Sequence, residues 1–226
     1  FHNLIYDGDN ERVINAITKT NNLLNSIISE SNQDDEYDVT ILTDTFPGEP
    51  NTLGAASTSA KLIILNSDFN GSVYFNDVLE DGYYVILVHE VLHILGLINT
   101  TTIAQNENLV LDSSGSPPNV YTGSLGVSAY KNVLQENGID ISKLDNYIPI
   151  EDDFGLGTAN VHIEEGINEN RMSEHRYIQN SQGENINYPV VVNEIITGFL
   201  NNSNYLTPIT LGCLEDIGYK VRYDSE

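Results

Sequence analysis

The stretch Tyr83-Tyr84-Val85-Ile86-Leu87-Val88-His89-Glu90-Val91-Leu92-His93-Ile94-Leu95-Gly96-Leu97-Ile98 decides the reading of this chain. Only His89, Glu90 and His93 in it titrate near neutral pH, and everything around them is apolar. It is too short, and too polar in the middle, to span a bilayer, so it predicts a buried core helix. Ionisable groups inside such a helix are costly unless something satisfies them. His89 and His93, spaced i,i+4, project from one face about a turn apart. A divalent metal would satisfy both. This is the H-E-x-x-H pattern, in which two imidazoles bind zinc and the carboxylate between them acts as general base on a water. One core histidine is commonly satisfied by backbone, but two of them with a glutamate on one buried helix are not. Gly96 allows a sharp exit.

The rest of the composition narrows the chemistry. The 226 residues carry 33 acidic and 9 basic side chains, a net charge of −24. Such a field repels phosphate backbones and anionic lipid, so nucleic-acid and polybasic membrane binding are excluded as leading functions. Cys213 is the single cysteine, which rules out an internal disulfide and any multi-cysteine metal site. A metal must therefore use histidines and carboxylates, and there are five histidines to consider. The sequence opens on Phe1 with no basic, apolar and cleavage-site succession, and reads as a processed or excised form.

Along the chain there is no repeat and no long low-complexity tract. From 10 to 30, Val13, Ile14, Ile17, Leu24, Ile27 and Ile28 recur at helical steps, with Asp9 or Asn10 as N-cap. Runs at 38–42, 62–65 and 73–75 read as strands, the last after an Asn70-Gly71 turn. Helix, strands and then helix predict a mixed sheet. Residues 112–119 read as a loop, 123–136 as a helix ended by Gly138, and 147–157 as irregular. A last helix is expected over 207–217, with Thr207-Pro208 at its start and Gly218 at its stop.

Catalytic zinc keeps three protein ligands and one open position. An extended helix pattern would put the third histidine ten residues after His89, but that position is Asn99. A neutral amide is a poor zinc ligand. Downstream, His162 and His175 remain as candidates, while His2 lies at the start of the chain.

The sequence here resembles the leishmanolysin-like zinc peptidases, metzincins in which a long insertion separates the helix glycine from the third histidine. The resemblance spans roughly 53–223. It runs from Leu53-Gly54-Ala55-Ala56 through 70–96 and resumes at Tyr121-Thr122-Gly123 and around Ala129-Tyr130. Ile148-Pro149-Ile150-Glu151, Gly155-Leu156-Gly157-Thr158-Ala159 and His162-Ile163-Glu164-Glu165 look like the family's Pro-x-Glu, Gly-rich turn and His-Trp-x-Glu. Asn193-Glu194-Ile195-Ile196-Thr197-Gly198-Phe199-Leu200 resembles its Asn-Glu-Leu-Met-Thr-Gly-Tyr-Leu, and 206–219 its C-terminal helix.

The resemblance implies an α/β (α+β), zincin-like fold with a mixed twisted sheet. An upper lobe over 1–97 would hold the active-site helix. A lower, more irregular lobe over 98–226 would return the third ligand and a Met-turn-like segment. His89, His93 and His162 would bind one zinc ion, and Glu90 would be the catalytic base and acid of an endopeptidase acting on protein or peptide substrates. His162 is preferred to His175 because the Gly-rich turn and the glutamate pair match around it. Ile196 stands where the family has the methionine that floors the metal, a swap of similar volume. Ile163 replaces an aromatic, residues 166–192 include an insertion, and cysteine pairs are lacking. A secreted or extracellular setting is implied. The sequence does not fix the oligomeric state, for which a monomer is the default.

Two other functions compete. One is a catalytically silent zinc-containing binding module of the same fold, which the Ile196 change could produce and the intact Glu90 argues against. The other is an acidic calcium-binding or adhesive domain, suggested by 34–38 and 151–153. Neither run has the spaced oxygen ligands and glycine of an EF-hand loop, so both read as solvated loops and Ca2+ is not indicated. The sequons at Asn70, Asn99 and Asn201 matter only in a glycosylating source.

Overall fold

The computed structural model describes residues 3–30, 38–49, 51–98, 120–151, 158–165, 175–179 and 182–223. The expected loop at 112–119, the glycines of 155–157, His2, Asn99 and most of the two acidic runs lie outside them.

The first helical pattern forms α1 (Glu11–Ile27). Asn10 is its N-cap, and the side chain accepts a hydrogen bond from Arg12 N at 3.0 Å. The helix ends earlier than the periodicity to 30 predicts. Ile28–Glu30 is instead a strand, β2, because the β-branched pair Ile27-Ile28 accepts extended backbone and a partner is present in the C-terminal strand Lys220–Val221. No basic residue occupies the last turn of α1. Arg222 supplies one from far along the chain: its N donates to Ile27 O at 2.7 Å, and its Nη1 to Asn25 O and Ser26 O at 3.3 and 3.4 Å. Those carbonyls would otherwise be orphans of the helix end.

The expected mixed sheet is present. It has β1 (Asn3–Ile5), β3 (Asp38–Asp44), β5 (Leu62–Asn66) and β4 (Gly54–Ser57) in the order β1-β3-β5-β4. The first three are parallel and β4 is antiparallel at one edge. In β3, Val39 and Ile41 are buried between exposed Asp38, Thr40 and Leu42, the period-two pattern of a strand with one covered face. A second, three-stranded sheet contains the hairpin β6 (Ser72–Phe75) and β7 (Val78–Asp81), with β12 (Ser203–Asn204) parallel to β6. Asn76 and Asp77 turn the hairpin with φ of 47° and 66°, the left-handed pair that a two-residue turn requires. The apolar stretch quoted above forms α2 (Gly82–Ile94), which packs on α1 and on the edge strand β4.

Backbone contacts sort the chain into two units, Phe1–Leu97 with Asn202–Tyr205 and Gly218–Glu226, and Ile98–Asn201 with Leu206–Ile217. The first contains both sheets described above, α1 and α2.

The second is built on α3 (Ser124–Glu136) packed against α4 (Pro208–Asp216). The predicted Thr207-Pro208 start of α4 is observed, with the Thr207 side chain accepting from Ile209 N. Gly138 and Gly218, with φ of 76° and 104°, lie just beyond the two helices as predicted. The helices approach closely at glycines. A Cβ on Gly212 would lie 2.8 Å from the Leu125 carbonyl carbon and oxygen. Gly123 caps α3 without a side chain, and Asp216 does that work instead, accepting from Leu125 N at 3.0 Å and Gly126 N at 2.8 Å. Short strands β8 (Val120–Tyr121) and β9 (Ile148–Pro149) pair antiparallel, so the segment read as irregular begins in a strand. The inserted region contains a hairpin, β10 (His175–Gln179) with β11 (Asn185–Pro189). Among the described residues, no helix is long and apolar enough to cross a membrane.

Candidate metal centre

The helix that carries the H-E-x-x-H residues is fixed at both ends. At its start Asp81 is the N-cap, accepting from Tyr83 N at 2.9 Å. Arg12 of α1 grips the same carboxylate with two nitrogens, Nε at 2.6 Å and Nη2 at 2.9 Å, and its guanidinium lies 4.3 Å from the centre of the Tyr83 ring. Burial works to raise the Asp81 pKa, but the Arg12 pair and the Tyr83 N–H outweigh it and hold the carboxyl below its ordinary range.

At the other end Gly96 has φ of 94°. Gly96 N donates to His93 O and Leu97 N to Leu92 O, both at 3.0 Å, which makes a Schellman exit. Two remote hydroxyls cover further carbonyls: Thr58 donates to His93 O at 3.3 Å and Tyr219 to Leu95 O at 3.2 Å. Tyr219 is therefore a backbone anchor for this helix. Tyr205 donates to Asp77 at 2.7 Å.

The i,i+4 spacing places the rings of His89 and His93 edge to face, with their Nε2 atoms 3.0 Å apart. Glu90 is 6 % exposed, and burial pushes its carboxyl up to about 8. Its neighbour is Gly54 on β4. A Cβ built on that glycine would lie 2.7 Å from Glu90 Oε1 and 2.7 Å from Ile86 Cγ2, so only glycine lets the strand pass.

His162 is buried on a short segment fastened on both sides. Its carbonyl accepts from Glu151 N at 3.0 Å, and the next residue, Ile163, donates its N–H to Ile196 O at 3.1 Å. Isolated bridges join Ile150 to Ile163 and Ile163 to Thr197. The imidazole Nδ1–H donates to Thr158 O at 2.7 Å. A carbonyl oxygen can only accept, so in the neutral ring the lone pair sits on Nε2. Ile196, at the position of the expected metal floor, is fully buried.

His89, His93 and His162 each offer a ring nitrogen lying within 4.8 Å of the other two. Three histidine nitrogens this close to one another could bind a metal ion. Three neutral imidazoles suit zinc, which the absence of thiolates does not disfavour. The competing histidine, His175, pairs through its backbone with Pro189 in the β10–β11 hairpin. Gly54 and Thr158 fall in stretches that carry the resemblance, but sequence reasoning assigned them no role, since they contribute the absence of a side chain and a carbonyl.

Glu194, two residues before Ile196, is buried and receives the hydroxyls of Thr207 and Thr210, with Thr207 N at 3.4 Å. It ties the Ile196 turn to the start of α4. Burial pushes its carboxyl up to about 7, against the pull of the threonine hydroxyls. A carboxyl raised from 4.5 contributes stability fully below that value and loses it as pH rises through 7. Urea unfolding of the metal-free chain at pH 5 and pH 8 is expected to show a loss of stability that shrinks in Glu194→Gln. An equal loss in the variant would clear Glu194 of the effect.

Comparison with family models, with curated proteins and with solved structures returns no match to this chain.

Proposed function

We propose that this chain is a zinc-dependent endopeptidase of leishmanolysin-like, metzincin type. The observation that carries the reading is the convergence of three histidine nitrogens next to a buried glutamate on an otherwise apolar helix. Zinc bound by His89, His93 and His162 would supply Lewis acidity, bringing a water's pKa toward neutrality and polarising a peptide carbonyl. Glu90 carries the proton: its carboxylate takes one from the attacking water and returns it to the leaving nitrogen. Gly54 keeps the β4 backbone against that carboxylate. β4 is an edge strand of its sheet, so an extended peptide adding to it would be read through main-chain hydrogen bonds and would pass Glu90. An extracellular setting belongs to the same reading.

The test is zinc content together with cleavage of casein and of short peptides. Stoichiometric zinc with cleavage supports the peptidase. Stoichiometric zinc with no cleavage of either substrate favours the silent binding module, and no zinc uptake rejects both.

Metal uptake should also report on Glu90. In the metal-free chain at pH 7 a carboxyl near 8 is mostly protonated, and a divalent cation beside it favours the charged form. Calorimetric zinc titrations in two buffers of different ionisation enthalpy are expected to show close to one more proton released by the wild type than by Glu90→Gln. Equal release would mean that the carboxyl is already ionised before metal arrives.

A further inference from the structure

We propose that Gly198 is a positioning residue for His162: by lacking a side chain it lets Thr158 approach, so that the Thr158 carbonyl holds the ring by Nδ1 and leaves Nε2 for a metal. The inference rests on the zinc reading above for its metal readout, and on geometry alone for the rest.

Gly198 does not have a left-handed φ, unlike Gly48, Gly96, Gly138, Gly183 and Gly218. Its backbone is therefore open to any residue, and what demands glycine is space. A Cβ at this position would lie 2.4 Å from Thr158 Cγ2, 3.1 Å from Glu165 Oε1 and 3.6 Å from His162 Nδ1. The Glu165 oxygen ends a flexible chain and can yield. The Thr158 methyl sits on the same residue whose carbonyl bonds His162 at 2.7 Å, so pushing the methyl strains that bond. The strands cannot simply part, because the His162 and Ile196–Thr197 segments are joined by the Ile163–Ile196 hydrogen bond and the Ile163–Thr197 bridge. A methyl at 198 therefore reaches the imidazole through Thr158. Groups that orient a ligating histidine from behind typically change metal affinity by about 10–100-fold when lost.

Three variants test this: Gly198→Ala, Thr158→Ser and the two together. Serine keeps the carbonyl and removes Cγ2. Two quantities are measured, the zinc dissociation constant by competition with a chromophoric chelator and the His162 tautomer by 15N NMR of the metal-free protein at pH 8. Gly198→Ala is expected to weaken zinc binding by about 10–100-fold and to replace the Nδ1–H tautomer of His162 with a mixture. Thr158→Ser alone serves as the reference, and the double variant should return to its zinc affinity and its His162 tautomer. A purely structural loss at 198 would not be undone by removing one methyl at 158.

Wild-type zinc affinity and tautomer in Gly198→Ala overturn the proposal, as does a loss that the double variant does not recover. Should Gly198→Ala fail to fold, the double variant decides: a folded, wild-type-like His162 supports the proposal and an unfolded chain overturns it. If the wild type takes up no zinc, the zinc reading fails, and the tautomer comparison still settles the role of Gly198.

Discussion

Glu90→Gln is expected to bind one zinc per chain with affinity close to that of the wild type, while casein and peptide cleavage fall by about 10²–10⁴-fold, the span that general acid–base groups contribute. The amide has the size of the carboxylate, so the close pass of β4 at Gly54 and the helix ends fixed by Asp81 and Gly96 are undisturbed. It cannot accept the water's proton. The fall should lie in kcat, because the proton moves only during the reaction. Burial gives the variant no folding penalty either, since glutamine removes a carboxyl that the apolar surroundings already disfavour in its charged form. Cleavage by Glu90→Gln at the wild-type rate would remove Glu90 from the chemistry.

His162→Ala is expected to weaken zinc binding by more than about 100-fold, beyond what a supporting group would cost, while His175→Ala leaves it unchanged. Among the described residues, His162 offers a ring nitrogen within 4.8 Å of those of the helix pair, and its Nδ1 is bonded to a carbonyl. Equilibrium dialysis of the two variants separates the candidates that spacing alone left open. A metal-binding loss in His175→Ala with none in His162→Ala would reverse the assignment and the family alignment with it.

The parts of the fold that were legible in the sequence are those in which local pattern and burial agree. The α2 stretch is apolar on nearly every side because it is buried on nearly every side, with only His89 and His93 less than fully enclosed along its length. α4 announces both ends, through Thr207-Pro208 and Gly218. β4 was illegible: Gly-Ala-Ala-Ser has neither alternation nor β-branched residues, and its strand state comes from pairing with β5. The early end of α1 depended on Lys220, Val221 and Arg222, almost two hundred residues further along the chain. In the candidate site, the helix histidines were legible because their spacing is local. The third histidine needed a resemblance to choose it, and its support from the Thr158 carbonyl is a backbone contact that the residue type does not announce.

The return of Gly218–Tyr223 to the first unit bears on the order in which this chain can mature. β2 has its partner strand, α1 its terminal Arg222 and α2 the hydroxyl on Leu95 only once the segment 219–222 has been made. A growing chain made only as far as Ile98 therefore has an H-E-x-x-H helix with Thr58 on His93 O but nothing from Tyr219 on Leu95 O. Such late, long-range closure slows folding and extends the time that apolar surface stays open to aggregation. A chain that stops short of Tyr219 therefore lacks the strand partner, the helix-end arginine and the hydroxyl that complete the first unit.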